Sequence, residues 1–269
     1  MLKTKLSLGT VQFGFDYGIT NKNGQVAINE VKDILDYAKK KNINTLDTAA
    51  LYGNSEDVLG HIGVDAYNII TKTSLLKDGV DRVIENFYKS LKKLKKAKVD
   101  GLLIHDIDDI KNKNFDNLFN KLKEFKEKGF IKKIGFSTYT PIQVNFVLGN
   151  FDFDLIQVPL NVFDTRLING GQLKALKNKN IEIHARSVFL QGLLLDFDTP
   201  GNYFSTWKNE FNAYQGMVKN SGFSLLEYAL GYVLNIEEID KVLVGVNNKK
   251  QLMEIFKASQ KKVDNTFTF

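Results

Sequence analysis

Short apolar runs alternate along this chain with longer stretches whose apolar residues recur at helical spacing. The runs cover residues 6–8, 45–47, 68–71, 99–104, 131–136, 155–158, 181–185 and 241–244. Several are rich in Ile, Val and Leu with little alternation, the signature of strands buried on both faces of a parallel sheet. Between them, Val31, Ile34, Leu35 and Ala38 form one amphipathic stripe, and Val80, Val83, Ile84, Phe87, Leu91 and Leu94 a second. A third, Leu118, Leu122 and Phe125, stops at Gly129, a residue suited to a left-handed helix end. Thr140-Pro141 reads as an N-cap with proline at the first helical position, and Asn248 as the cap of a last helix carrying Leu252, Ile255 and Phe256.

Eight strand–helix units in succession predict an α/β fold of the (β/α)8 TIM-barrel type, which typically takes roughly 250 residues. The 269 residues therefore read as one domain, 1–269. An open doubly wound sheet is the alternative, but the turn after the first strand, LGTVQFG, lacks the G-x-G-x-x-G spacing. Residues 189–222 depart from the rhythm and predict an extended loop with an extra helix between strands seven and eight, carrying the sole tryptophan, Trp207.

Composition narrows the function classes. No apolar run approaches the roughly 20 residues of a membrane span, and residues 1–14 do not form a secretory signal, so the chain is expected to be cytoplasmic. It has no cysteine, hence no disulfide framework, thiolate nucleophile or Cys-ligated metal. The net charge of +6 suggests nucleic acid, yet only Arg82, Arg166 and Arg186 among 37 basic residues are arginines, and the lysines alternate with carboxylates on helix faces. That pattern fits solubility, with no nucleic-acid partner.

In a barrel of this type the chemistry sits where the strands end. Asp47 ends strand two, with Tyr52 in the following loop; Lys72 ends strand three and His105 strand four. Ser137 ends strand five, Gln157 lies near the end of strand six, and Arg186 ends strand seven. Taken singly, Asp47 could cap a helix, Tyr52 could be a surface residue and His105 could pair with Asp106. Four such residues on three successive strands point instead to one mouth. Tyrosine ionises near pH 10, too high for easy proton exchange at neutral pH; a neighbouring ammonium lowers that value and a carboxylate holds the ammonium charged. A histidine beside the phenol can orient a carbonyl oxygen. The set suits protonation of an alkoxide as hydride arrives, and hydride must come from a cofactor.

These residues resemble the aldo-keto reductase family along essentially the whole chain. Residues 46–56, LDTAALYGNSE, look like its D-T-A-x-x-Y-G-x-S-E signature; ITKT at 70–73 resembles its lysine segment and LLIHD at 102–106 its histidine segment. IGFS at 134–137 and QVPLN at 157–161 resemble two strand ends that hold the nicotinamide amide. The resemblance implies an NAD(P)H-dependent reductase of a small aldehyde or ketone, with Tyr52 as proton donor, Lys72 and Asp47 tuning it, and His105 orienting the carbonyl. Ser137 and Gln157 would hold the carboxamide, with Thr138 beside Ser137 as a weaker cofactor contact. Gly9 and Thr10 would line the pocket, and Ser187, Phe189 and Gln191 would meet the pyrophosphate. Gly245, Asn247, Lys249 and Gln251 would face the adenosine 2′-phosphate at a helix N-terminus, which places NADP(H) ahead of NAD(H).

The family's Asn after the strand-five Ser is Thr138 here, and its aromatic on the nicotinamide is Arg186, which could stack, grip an anionic substrate or pair with a rim carboxylate. Lys and Arg common at the phosphate site are Gly245 and Gln251; Lys249 and Lys250 could replace them or simply be exposed. IHARSVFLQGLL at 183–194 resembles a bacterial branch associated with sugar and surface-polysaccharide metabolism. The chain starts at strand one without the N-terminal hairpin of many relatives, and Phe267 and Phe269 near its end are expected either to face the pocket or to pack outside the barrel. Two other functions fit parts of the pattern: a cofactor-binding redox sensor or regulatory subunit without turnover, and a hydrolase or isomerase using His105 and Asp47. Oligomeric state leaves no sequence signature.

Overall fold

The computed structural model describes residues 4–21, 23–197 and 202–263. Eight strands, β1 (Leu6–Gly9), β2 (Thr45–Asp47), β3 (Asn68–Lys72), β4 (Val99–Ile104), β5 (Ile131–Ser137), β6 (Leu155–Pro159), β7 (Glu182–Arg186) and β8 (Lys241–Gly245), lie side by side in sequence order. All pair in parallel, and β8 closes onto β1 through Leu6↔Val242 to Gly9↔Gly245, giving the expected (β/α)8 barrel. The helices between them are α1 (Ile28–Lys40), α2 (Ser55–Ile62), α3 (Val80–Leu94), α4 (Phe115–Glu127), α5 (Pro141–Asn150), α6 (Arg166–Asn169) and α7 (Gln172–Asn178). After β7 come α8 (Asn202–Ser205), α9 (Lys208–Asn220) and α10 (Leu225–Leu234), and α11 (Lys249–Ala258) follows β8.

Helix boundaries follow local chemistry. Thr140 accepts from the Gln143 N–H while Gln143 reaches back to the Thr140 N–H, a complete capping box with Pro141 next in line. Asn248 accepts from the Gln251 N–H at the start of α11, and Gly129 takes a φ of +77° after α4. The stripes read from the sequence face inward: Val31, Ile34, Leu35 and Ala38 of α1, and Val83, Phe87, Leu91 and Leu94 of α3, are buried against the strands' outer side chains.

Side chains alternate across a strand, so every second residue enters the barrel. Ile70 on β3, Leu103 on β4 and Leu155 on β6 form an apolar cluster separate from the main core. Lys72, His105 and Gln157 stand two residues further along the chain on the same three strand lines. Alternation therefore lifts these polar groups just above an apolar floor, at the end where the strands finish.

The segment after β7 folds as predicted into an extra helix, α9, with a small core of its own. Leu193, Leu194, Phe197, Phe211, Tyr214 and Val218 pack together, the rings of Phe197 and Phe211 stacking at 3.7 Å. Trp207 is half-exposed at the start of α9 and takes no part in the cavity described below. Phe267 and Phe269 lie outside the described residues. Among the described residues, no helix is long and apolar enough to cross a membrane, and no group of three or more His, Asp or Glu is placed to hold a metal ion.

Candidate active site

At the C-terminal ends of the strands lies a trench of about 540 Å³, within the range of small-molecule and cofactor sites. Its wall includes Asp47, Tyr52, Lys72 and His105, which the strand order brings from three loops to one end. The Lys72 ammonium has three hydrogens and three partners: Asp47 Oδ2 at 2.6 Å, the Thr48 carbonyl at 3.0 Å and Tyr52 Oη at 3.3 Å. Asp47 is occupied on both oxygens, since Gln157 Nε2 donates to its Oδ1 at 2.7 Å. The Lys72 and Asp47 side chains are 1% and 5% exposed. Burial by itself would discharge Lys72, but the charge of Asp47, with Tyr52 beside it, outweighs that and raises the lysine's pKa.

Tyr52 corrects one expectation. Its pKa is raised, because burial of the phenol outweighs the pull of Lys72 in the opposite direction. Lys72 limits that rise and does not reverse it. Burial, with Lys72 adding to it, pushes His105 down to about 4, so its imidazole is neutral at physiological pH. The His105 ring meets the Tyr52 ring edge-on at 5.8 Å between centroids, and its Nδ1 is buried without a partner. The predicted alternative of a His105–Asp106 pair is not formed: the Asp106 carboxylate accepts from the Asp108 N–H instead.

Tyr52 is held by two loops in close contact. The Tyr52 carbonyl accepts from the Ser55 N–H that begins α2, and Ser55 Oγ reaches Thr10 after β1 at 2.9 Å. Thr10 in turn bonds the Asp47 carbonyl through its N–H and its hydroxyl, both at 3.0 Å. A side chain on Gly14 would overlap the Tyr52 carbonyl oxygen; one on Gly53, where φ is +54°, would overlap the Gly14 carbonyl. Buried Glu56 accepts from Thr71 Oγ1 at 2.7 Å, tying α2 to the strand that carries Lys72.

Gly9, Thr10, Ser137, Gln157, Arg186, Ser187, Phe189, Gln191, Gly245, Asn247 and Gln251 also line the trench, as expected. Two expected contacts do not. Thr138 is fully buried behind the wall, where its N–H binds the Gln157 carbonyl and its own carbonyl accepts from Arg186 Nη2 at 3.0 Å. Lys249 is exposed outside the trench lining. Among the described residues Arg186 has no carboxylate partner; its guanidinium lies 4.2 Å from the centroid of the Tyr139 ring. The sequence did not single out Gln12, Tyr17, Asn21, Tyr139 or Glu254, all of which reach the trench. For Glu254 a signal existed, because it sits one helical turn after Gln251.

The chain matches the family model described as the aldo/keto reductase family over residues 5–267. It is 29% identical to L-galactose dehydrogenase of Arabidopsis thaliana, over 93% of this chain and 84% of that protein. It is 25% identical to D-arabinose 1-dehydrogenase of Saccharomyces cerevisiae, over 61% of this chain and 56% of that one. Among solved structures, a glycerol dehydrogenase from Gluconobacter oxydans shares the fold with a TM-score of 0.71 at 20% identity, covering 99% of this chain and 95% of that one. With a family match spanning nearly its whole length and the closed barrel that its solved neighbours share, this chain belongs to the aldo/keto reductase family.

Proposed function

We propose that this protein is an NAD(P)(H)-dependent oxidoreductase that reduces the carbonyl of a small, sugar-related aldehyde or ketone to an alcohol, with Tyr52 as proton donor. The contact that carries this reading is Lys72 Nζ on Tyr52 Oη, at one end of a trench long enough to reach from the tetrad to the start of α11. The sugar-related part rests on the names of the two curated relatives and on Tyr17 and Tyr139, whose half-exposed rings at the mouth offer apolar faces to a carbohydrate.

The trench suits a long polar cofactor. Gln12 Oε1, Asn247 Oδ1 and His105 Nδ1 are buried polar atoms of its lining with no protein partner, a costly state unless a ligand or water meets them. Ser137 and the remaining groups of Gln157 would hold the carboxamide, and Ser187, Phe189 and Gln191 the pyrophosphate. A bound nicotinamide would supply the hydride that no side chain can.

The chain's own residues do the rest. The carbonyl oxygen sits between Tyr52 Oη and the neutral His105, which donates a hydrogen bond and adds no charge. As negative charge gathers on that oxygen, Tyr52 passes it the phenolic proton. The phenolate left behind lies against the Lys72 ammonium, whose charge is maintained by Asp47, and Asp47 is fixed by Gln157. A phenol with a pKa above 10 still protonates an alkoxide downhill, so the raised value does not obstruct reduction.

Tyr52→Phe tests the reading. Nucleotide binding should be retained while reduction of aldehydes, sugar aldehydes included, falls about a thousandfold. Unchanged turnover would remove Tyr52 from this role.

A further inference from the structure

We propose that the trench is built for NAD(H) and discriminates against NADP(H), an inference that rests on the nicotinamide reading above. With the nicotinamide at the tetrad, the other half of the dinucleotide is left the end formed by Gln12, Asn247, Gln251 and Glu254. Among the described residues, the cationic side chains lining the trench are Lys72, bonded within the tetrad, and Arg186, bonded to the Thr138 carbonyl and set against the Tyr139 ring. The far end has a carboxylate, Glu254, with no salt-bridge partner among the described residues, while Lys249 and Lys250 are exposed outside the lining.

The start of α11, where an added phosphate would gain most, is partly taken. The Lys249 N–H donates to Glu30 Oε1 at 2.6 Å, the Gln251 N–H to Asn248 Oδ1 at 2.9 Å and the Asn247 N–H to Gln251 Oε1 at 2.8 Å. A carboxylate from α1 thus occupies the positive end of the helix dipole. Two buried lining atoms left unmatched there are acceptors, Asn247 Oδ1 and Gln12 Oε1, and Glu254 only accepts. A ribose diol donates to such groups. A 2′-phosphate offers acceptors to acceptors and a double negative charge to the Glu254 carboxylate of the lining, with Glu30 already at the α11 N-terminus.

Calorimetric titration of the intact protein with NAD⁺, NADH, NADP⁺ and NADPH tests this without turnover. NAD(H) should bind at least about tenfold more tightly than NADP(H). Glu254→Lys should narrow or invert that ratio by strengthening NADP(H), and Glu30→Gln should strengthen NADP(H) several-fold with NAD(H) unchanged. Equal or tighter NADP(H) binding by the unaltered protein would overturn the preference and leave the nicotinamide reading standing. A preference for NAD(H) that neither variant moves would overturn its assignment to these carboxylates. Binding of neither nucleotide would sink the nicotinamide reading itself, and the preference with it.

Discussion

At the β2–β4 end of the trench, the charged pair is matched inside the protein, with three partners for the Lys72 ammonium and one for each oxygen of Asp47, and His105 Nδ1 is the buried atom left without a partner. At the β7–β8 end the lining contains buried acceptors with no partner, and the backbone stands in the left-handed region at Ser187, Leu190 and Gln191, with φ of +59°, +47° and +56°. The first end is a preformed electrostatic device on short loops after strands. The second is a strained loop backed by its own aromatic core. On the proposed function, the chemical step would fall to a charged pair matched before ligand arrives, and nucleotide recognition to groups that await it.

The sharpest way to break this contrast is Lys72→Met. It leaves Asp47 as a buried carboxylate without its cation, which should destabilise the fold by about 3–5 kcal/mol and depress the chemical step by about a thousandfold. Denaturant melts and single-turnover rates check both. A melt unchanged from that of the parent would mean the pair contributes nothing to the fold. Next in size is Gly14→Ala, which should push the Tyr52 backbone off its position. The expected loss in kcat is about a hundredfold with nucleotide affinity unaltered; a rise in the nucleotide Kd alone would show that the two ends are not separable.

The pH profile gives a smaller, directional effect. Reduction uses the protonated phenol, and burial pushes the Tyr52 pKa up, so its rate should stay level through the neutral range. It should fall only as His105 gains a proton near pH 4, adding a second cation beside Lys72. Alcohol oxidation needs the phenolate and should climb about tenfold per pH unit across the same range. A plateau in oxidation near neutrality would mean that Lys72 outweighs burial after all. The smallest effect belongs to the other end: Gln191→Gly removes a non-glycine left-handed residue and should stabilise the fold by up to about 1 kcal/mol while weakening nucleotide binding.

The same contrast explains what could be read in advance. The tetrad was legible because strand ends in a barrel are fixed by hydrophobic runs, and Asp47, Lys72 and His105 each terminate one. The stripes of α1 and α3, the Thr140 and Asn248 caps and the extra helix before β8 follow equally local rules. The direction of the Tyr52 shift was not legible, since it depends on how far the phenol is buried relative to one cation. Nor was the burial of Thr138, or the Glu30–Lys249 contact, which joins residues 219 apart in sequence. Lysines that look available for a phosphate in the sequence stand outside the trench because their helix turns them there.

An amine that meets aldehydes all day ordinarily condenses with them, and the imine that results would disable a carbonyl enzyme at its centre. Lys72 is spared this fate. Nucleophilic attack requires a free lone pair, whereas the Lys72 nitrogen is kept protonated and its three hydrogens are claimed by Asp47, Thr48 and Tyr52. If the proposed carbonyl reduction holds, reactive aldehydes would come within reach of a lysine without inactivating the protein.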